Sequence, residues 1–306
     1  MKRSDIITGR GAISSFDNST GPFAICRTDP ERGEALLARL GTRTGPFHTI
    51  ISLYQWYQSM QTANVIATTR RGNQSAIITI GAHADSVKSG PGMNDNGSGM
   101  IAQIEVAKAL ARFSVNNAIR FCWWGGEERG LLGSRFYISS LPAAEASKIV
   151  MNLNFDMIAS PNYRYGVYGG DGSSGPLPYL SDGSSLIEQS FADFFARNGQ
   201  TSVHDVLDGS SDHYSFIEAG IPAGGVFMGA VGKKTDEEVL LFGGQAGVDY
   251  DSCYHQACDN LRNLNYTAFI MGAGAMANAV ARYGRSIEGF PFPRPPAAKP
   301  ETRRTI

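Results

Sequence analysis

The chain has 306 residues, with 27 Lys and Arg against 28 Asp and Glu, and a formal net charge of −1. Because 42% of the residues are hydrophobic and 18% are charged, the composition is that of a globular protein and excludes a chain that is mostly disordered. The balanced charge provides no general basic surface, so we expect neither nucleic acid nor an anionic membrane as a partner.

The first 45 residues show little pattern beyond one short helix, predicted over residues 31–40, and form a poorly defined N-terminal segment. From residue 46 to residue 287, strands and helices alternate. Strands are predicted over residues 50–58, 64–68, 76–82, 118–124, 149–156 and 223–228. Helices are predicted over residues 99–113, with Ser98 as N-cap, and over residues 131–141, 185–198, 214–219 and 268–283.

The alternation of strands and helices predicts an α/β protein: a three-layer α/β/α sandwich with a mixed, mostly parallel central sheet. The apolar run Ile77–Ile80 is typical of a strand that is buried on both faces. Residues 169–185, rich in Gly, Ser and Pro, are predicted to form a surface loop. Residues 288–306 form a Pro-rich tail that we expect to be disordered.

Polar side chains follow the predicted strands at the points where the strands end. His83 and Asp85 come after the strand over residues 76–82, and Asp95 lies in the loop that follows. Glu127 and Glu128 come after the next strand, and Asp156 ends the strand over residues 149–156. Because ligands of open α/β sheets bind beyond the carboxyl ends of the strands, we expect these side chains to meet at one edge.

A His with several Asp and Glu side chains is a ligand set suited to zinc, manganese or cobalt. If Asp95 bridges, then His83, Glu128, Asp156 and a second His can hold two ions about 3.5–4 Å apart. Each motif alone has an ordinary explanation: a surface His, a loop that is only a turn, or a pair of Glu at a helix start. Their order and shared edge favour a joint metal site.

Five segments together carry a family resemblance, and they occupy positions 81–86, 94–99, 124–128, 154–157 and 253–258. With these segments the chain closely resembles the secreted di-zinc aminopeptidases of the zinc exopeptidase superfamily, which are leucine-aminopeptidase-like enzymes with co-catalytic zinc. The resemblance covers about residues 50–285, and the segments stand in the family's order. The first 45 residues match this family poorly.

The resemblance implies two zinc ions per chain. His83 and Asp156 would complete one zinc site, Glu128 and His255 would complete the other, and Asp95 would bridge both ions. Asp85 would be the outer partner of His83. Glu127 would be the general base that acts on a water shared by the ions, and Tyr254 would lie near the developing oxyanion.

The resemblance also implies a disulfide between Cys253 and Cys258, and with it an oxidising, secreted or extracytoplasmic location. The basic start of the sequence is not followed by an apolar segment, so we expect no signal peptide in it. No run of 18 apolar residues is present, which argues against a membrane-spanning helix. The other histidines, His48, His204 and His213, are interpreted as structural.

The predicted activity is hydrolysis of the first peptide bond of peptides that have a free N-terminus, by a protein that we expect to be a monomer. Met157 and Phe227 are candidates for an apolar pocket that favours large apolar first residues, although core packing explains them nearly as well. Three alternatives stay open: a glutaminyl cyclase-like enzyme, a dipeptidase or carboxypeptidase on the same fold, and a non-catalytic domain that keeps metals for stability.

Overall fold

The computed structural model of the chain describes residues 13–17, 23–26, 38, 61–173 and 182–292. The chain divides into two compact units, Met1–Ser59 and Met60–Ile306. In the first unit, β1 (Ile13–Asp17) and β2 (Phe23–Cys26) form an antiparallel pair. The strand predicted over residues 50–58, His48 and all of the helix predicted over residues 31–40 except Ala38, which is helical, lie outside the described residues.

In its described part, the second unit contains a seven-stranded sheet with the strand order β3-β5-β4-β6-β9-β7-β8. Its strands are β3 (Val65–Thr68), β4 (Asn73–His83), β5 (Asn117–Trp124), β6 (Ile149–Asp156), β7 (Gly166–Tyr168), β8 (Val203–Asp205) and β9 (Ala223–Phe227). The four central strands β5, β4, β6 and β9 run parallel, whereas β3 is antiparallel to β5 and β7 is antiparallel to β9. The sheet is therefore mixed and mostly parallel, as predicted.

Helices cover both faces of this sheet. They are α1 (Gly99–Leu110), α2 (Leu132–Ser140), α3 (Ala143–Ala146), α4 (Asp182–Arg197), α5 (His213–Glu218), α6 (Asp236–Phe242) and α7 (Tyr266–Arg285), with short 3₁₀ turns at Glu127–Arg129 and Leu261–Asn263. Helix α7 contacts both α1 and α4, and all three helices share one hydrophobic cluster with the sheet. Helices α2 and α5 share a second cluster with it. The three-layer α/β/α architecture is confirmed.

The central strands are buried on both faces, and every residue of β6 is buried. On one face, Phe155 packs edge-on against Phe191 of α4, with ring centroids 5.8 Å apart. On the other face, Trp124 packs against Tyr137 of α2 at 5.1 Å and Phe216 of α5 at 6.0 Å. Because burial of one such apolar side chain contributes roughly 1.5–3 kcal/mol, these clusters fix the strand ends where the site lies.

Three local predictions differ from the structure. Ser98 does not cap α1, because its hydroxyl instead donates to the Asn94 carbonyl and accepts from the Ile158 N–H. Helix α4 begins at Asp182, three residues earlier than predicted, so residues 182–185 are helical rather than loop. Strands β7 and β8, of three residues each, and helix α6 were not predicted. Thr235 and Glu238 form a capping box at the start of α6, a pattern that is visible in the sequence.

The chain stays packed beyond the predicted end of the α/β domain. Phe290, within the predicted tail, is buried and contacts the Tyr283 ring, with centroids 6.1 Å apart. Residues 293–306 lie outside the described residues. Among the helices that the structure describes, none has the length and apolar character needed to cross a membrane.

Candidate metal centre

The carboxyl edge of the sheet brings the predicted ligands together. His83 is the last residue of β4 and Asp156 is the last residue of β6, and these two strands are parallel neighbours. Glu128 follows β5 in the 3₁₀ turn Glu127–Arg129. Because parallel neighbours end at the same edge, strand pairing itself places these three side chains close to one another.

His83, Asp95 and Asp156 form an inner triad. The His83 Nε2 lies 3.1 Å from the Asp95 Oδ1 and 3.4 Å from the Asp156 Oδ1. All three residues are buried, and their ligand atoms lie within 4.8 Å of one another. The triad therefore offers one nitrogen and two carboxylate oxygens to a common point that is shielded from solvent.

Asp95, Glu128 and His255 form an outer triad. The His255 Nε2 lies 3.1 Å from the Asp95 Oδ2 and 3.0 Å from the Glu128 Oε2. The His255 side chain is 37% exposed, so this triad opens towards solvent. Asp95 directs one carboxylate oxygen to each triad, which is the arrangement of a ligand that bridges two cations.

The polar atoms of the two triads fit metal ions. The Nε2 atoms of His83 and His255, the Glu128 Oε1 and the Asp156 Oδ1 are buried, and none of the four forms a hydrogen bond in the described structure, even though carboxylate oxygens lie close to both Nε2 atoms. Buried polar atoms normally have a hydrogen-bond partner. These four atoms therefore indicate a bound partner that is not part of the protein chain. Imidazole nitrogens with carboxylate oxygens are the donors that zinc accepts.

The pKa values show the electrostatic cost of the cluster without a cation. Burial, with the Asp95 carboxylate nearby, raises the pKa of Glu128 to about 7. Burial acts to raise the pKa of Asp95 as well, but His255 and His83 outweigh it and lower the pKa to about 2. Two divalent cations would relieve the repulsion among these carboxylates.

The loop that carries Asp95 is held by its neighbours on both sides. Residues Met93–Ser98 form an irregular helical turn, with non-helical backbone angles at Asp95 and Asn96 and a cis peptide bond between these two residues. Side chains of this turn bond the backbone in and after the end of β6: Asn96 Nδ2 donates to the Phe155 carbonyl, and Asn94 Oδ1 accepts from the Ala159 N–H. Asp95 thus sits on a loop that is fixed to the end of β6.

The loop that carries His255 is closed by the disulfide between Cys253 and Cys258, as predicted. His255 has a φ of 58°, a left-handed conformation that is uncommon for a residue other than glycine. The Ser89 hydroxyl donates to the His255 carbonyl at 2.8 Å. A Cβ at Gly90 would lie 2.5 Å from the Gln256 carbonyl oxygen, so the close approach of these two loops requires glycine at that position.

Asp85 holds the loop of Glu127 as well as the ring of His83. The His83 Nδ1 lies 3.0 Å from the Asp85 carbonyl oxygen and 3.7 Å from its carboxylate. That carboxylate accepts from the backbone N–H groups of Glu127, at 3.0 Å, and Glu128, at 3.3 Å. The partner predicted for His83 thus contacts the ring through its backbone, while its side chain binds the adjacent loop.

Glu127 and Tyr254 lie beside the triads and belong to neither. Burial, with the Asp156 carboxylate nearby, raises the pKa of Glu127 to about 9, so the metal-free centre favours its protonated form at neutral pH. The Tyr254 ring stacks on the His255 ring, with centroids 3.7 Å apart. Burial and the Asp95 carboxylate raise the pKa of the Tyr254 phenol, which keeps it able to donate a hydrogen bond.

Several polar residues around the centre were not predicted from the sequence. The Ser211 hydroxyl donates to the Asp156 Oδ2 at 2.7 Å and accepts from the Asn154 side-chain amide at 2.8 Å. Asp212 is fully buried, and burial raises its pKa to about 7. The Asp259 carboxylate accepts from the backbone N–H of Asp95 at 3.1 Å. The sequence points to Asp259 only through its position, four residues after His255.

The remaining histidines and the pocket candidates have other partners. The buried His213 ring contacts the Asp208 carbonyl at 2.7 Å, and the exposed His204 lies 2.7 Å from Glu188. Phe227 stacks on Tyr168, with centroids 6.1 Å apart, and Met157 is buried with a φ of 49°. A groove of about 380 Å³ lies between β3 and α2, and none of the predicted site residues lines it.

A model of Peptidase family M28 matches residues 64–280 of the chain. The chain is 50% identical over 282 residues to a probable leucine aminopeptidase 2 of Aspergillus fumigatus, covering 92% of this chain and 56% of that protein. It is 46% identical over 293 residues to leucine aminopeptidase 2 of Trichophyton rubrum, covering 94% of this chain and 57% of that protein. The chain therefore spans little more than half the length of these relatives.

Solved structures resemble about three quarters of the chain. A zinc aminopeptidase from Bacillus subtilis superposes with a TM-score of 0.60 at 27% identity, covering 74% of this chain and 51% of that chain. A glutaminyl cyclase from Porphyromonas gingivalis gives a TM-score of 0.53 at 20% identity, covering 72% of this chain and 75% of that chain. The second likeness is one of fold alone.

Proposed function

Because the chain belongs to peptidase family M28, we propose that it is a metallo-aminopeptidase that removes the first residue of peptides with a free N-terminus. One observation carries the proposal: Asp95 places one oxygen 3.1 Å from the Nε2 of His83 and the other 3.1 Å from the Nε2 of His255. Two complete ligand triads that share one carboxylate match a co-catalytic pair of ions.

Two zinc ions are the proposed cofactor. His83 and Asp156 would hold one ion, Glu128 and His255 would hold the other, and Asp95 would bind both. The buried, unpartnered nitrogen and oxygen atoms of these residues support the assignment. When bound, zinc would lower the pKa of water towards 7 and polarise the scissile carbonyl group.

Glu127 is the proposed general base. It lies outside both triads, so its carboxylate remains available to a water molecule, and the Asp85 carboxylate fixes its backbone. Cations in the triads would counter the negative neighbours that raise its pKa. Glu127 would then take a proton from the attacking water and return it to the leaving amine.

Tyr254 is the proposed donor to the developing oxyanion. Its ring is fixed by stacking on His255 and by a loop that the Cys253–Cys258 disulfide closes. Since burial raises the pKa of the phenol, the hydroxyl remains protonated through neutral pH. A fixed neutral donor can stabilise negative charge that appears only in the transition state.

The proposed substrates carry a free α-amine and a large apolar first side chain. The free α-amine would be recognised by one of the zinc ions together with nearby carboxylates, as the family resemblance implies. An apolar pocket would disfavour acidic first residues, because a charged side chain loses its hydration there. Met157 and Phe227 remain the candidates for the apolar wall of the pocket, although Phe227 already stacks on Tyr168. The leucine aminopeptidase relatives support an apolar preference.

The proposed location is outside the cytoplasm, and the proposed form is a monomer. The disulfide supports the first statement, because disulfides persist in oxidising compartments. Sedimentation at several protein concentrations tests the monomer.

Metal analysis paired with a rate panel tests the function. The purified chain should contain two zinc ions and should hydrolyse leucine p-nitroanilide, and removal of the ions by a chelator should abolish turnover. Cyclisation of N-terminal glutamine with one bound ion would favour the glutaminyl cyclase alternative. Turnover of substrates with a blocked N-terminus would favour the carboxypeptidase alternative. Two tightly bound ions without any turnover would favour a binding domain.

A further inference from the structure

We propose that Asp259 is a positioning residue for the bridging ligand Asp95, and that it sets the metal affinity of the outer triad in particular. The inference rests on the proposed two-metal centre. Asp259 does not reach the ligand side chains; it acts on the backbone that carries one of them.

The contacts of Asp259 form a clamp on the Asp95 loop. Its Oδ1 accepts from the Asn94 N–H at 2.9 Å, and its Oδ2 accepts from the Asp95 N–H at 3.1 Å. Its own carbonyl oxygen accepts from the Met93 N–H at 3.1 Å. Asp259 is only 1% exposed, so water cannot substitute freely for these bonds.

The same residue belongs to the loop of the other ligand. Asp259 follows Cys258 directly and lies four residues after His255, beyond the disulfide that closes that loop. The Asn263 side-chain amide donates to the Asp259 Oδ1 at 3.1 Å and also to the Asp251 carboxylate. A single carboxylate thereby links Asp95 and His255, two ligands that are 160 positions apart in the sequence.

The two triads depend on this link to different degrees. In the inner triad, His83 and Asp156 end strands β4 and β6, and the sheet positions them without help from loops. In the outer triad, Asp95 and His255 stand on loops and Glu128 on a short turn. Loss of the clamp should therefore loosen the outer triad most, while the inner triad keeps two ligands on rigid strands.

A carboxylate is needed because two N–H donors converge on two oxygens. An asparagine at position 259 would offer one acceptor oxygen and would turn a donor towards the other N–H group. A glutamate would keep the charge but would displace the carboxylate by one methylene. Comparison of the two variants therefore separates the position of the carboxylate from its charge.

The test titrates zinc into the chelator-stripped full chain in competition with a chromophoric chelator. We expect the wild-type chain to bind two ions. Asp259→Asn and Asp259→Glu should bind the first ion, that of the inner triad, with unchanged affinity. They should bind the second ion, that of the outer triad, about 10–100-fold more weakly, which is the usual effect of removing a residue that positions a metal ligand. Cobalt(II) absorption, measured in the same series, should lose the intensity that belongs to the second equivalent.

Glu238→Gln is the matched control. Glu238 is also a buried carboxylate, and it accepts from the Thr235 N–H and the Tyr250 hydroxyl, neither of which belongs to a triad. We expect this variant to lower the melting temperature but to keep both zinc affinities. If Glu238→Gln weakens the second ion as much as Asp259→Asn does, the effect is general destabilisation and the proposal fails.

The other outcomes are equally decisive. If Asp259→Glu binds both ions with wild-type affinity, only the charge at position 259 matters and the positioning role is overturned. If the Asp259 variants weaken both ions equally, the claim that Asp259 acts mainly on the outer triad is overturned. If the Asp259 variants do not fold, Asn263→Ala loosens the same carboxylate, and unchanged binding of the second ion in that variant would end the proposal. A wild-type chain that binds two ions but hydrolyses no peptide would refute the proposed function and leave this inference standing.

Discussion

The Asp85 carboxylate fixes the backbone of Glu127, since its Oδ1 accepts from the Glu127 N–H at 3.0 Å. Asp85 lies two residues after His83 and also contacts the His83 ring through its carbonyl oxygen, at 3.0 Å. One residue therefore sets the distance between His83 of the inner triad and the proposed general base. Both ends of this link are needed for catalysis by the proposed mechanism.

Glu127→Gln should keep both metal ions and lose most of the activity. The amide preserves the shape of the side chain but cannot accept the proton of the attacking water, which corresponds to a loss of roughly 10²–10⁴-fold in kcat. Metal content by atomic absorption and kcat on leucine p-nitroanilide check the expectation. Turnover near the wild-type level would end the assignment of Glu127 as the base.

Glu128→Gln is the matched control for that variant. It makes the same chemical change one residue away, but in a member of the outer triad, 3.0 Å from the His255 Nε2. We expect it to lower the affinity for the second ion as well as the activity. Loss of metal in Glu127→Gln with retention in Glu128→Gln would reverse the two assignments.

The metal-free chain should lose stability as the pH rises from about 4.5 to about 9. Burial raises the pKa of Glu128 and of Asp212 to about 7 and that of Glu127 to about 9, whereas unfolded carboxyl groups titrate near pH 4. The folded state therefore binds more protons than the unfolded state over this range, and stability falls with pH. The pKa of His255, which the Asp95 carboxylate raises, acts with the same sign.

Thermal melts of chelator-treated and zinc-loaded protein at pH 5, 6, 7 and 8 measure this dependence. Zinc requires deprotonated ligands, so the difference between the two melting temperatures should grow with pH. In the metal-free state, Glu127→Gln should weaken the fall of the melting temperature at the high end of this pH range. A metal-free melting temperature that rises through this window would contradict the expectation.

Much of the fold follows from local sequence patterns. The apolar run at Ile77–Ile80 predicted β4, and strand β6 was predicted with its observed bounds, Ile149–Asp156, since long buried strands carry a strong signal. Strands β7 and β8 have three residues each, too few to show a period. They are strands because of their neighbours in the sheet, which is tertiary information.

The residues of the site also divide into those that the sequence predicts and those whose role depends on the tertiary structure. The positions of proposed ligands at strand ends, such as His83 and Asp156, are predictable because parallel strands share an edge. Ser98 could not be predicted correctly, because its hydroxyl bonds the Ile158 N–H, which belongs to a segment 60 residues away. Asp259 was missed for the same reason, since its role depends on the backbone of a loop 164 positions earlier.

Replacement of Cys253 and Cys258 by serine should destabilise the chain and weaken the outer metal ion. In the chain-entropy treatment, closure of so short a loop raises the free energy of unfolding by about 2 kcal/mol. The disulfide also confines His255 in its left-handed conformation. Denaturant unfolding of the metal-free protein measures the first effect and zinc titration the second. A double variant with unchanged affinity for both ions would show that the loop keeps its shape without the disulfide.

Substrates with large apolar first residues should be hydrolysed fastest. Each methylene that fits an apolar pocket is worth roughly 10–200-fold in kcat/KM, so leucine, methionine and phenylalanine p-nitroanilides should exceed the alanine compound. Aspartyl and glutamyl compounds should be poor, because an apolar pocket does not replace the hydration of a charged side chain. N-acetyl-leucine p-nitroanilide should not react, since acetylation removes the charged amine. If Phe227 lines the pocket, Phe227→Ala should reduce the ratio of kcat/KM for the leucine compound to kcat/KM for the alanine compound. Equal rates across the whole panel would refute an apolar pocket altogether.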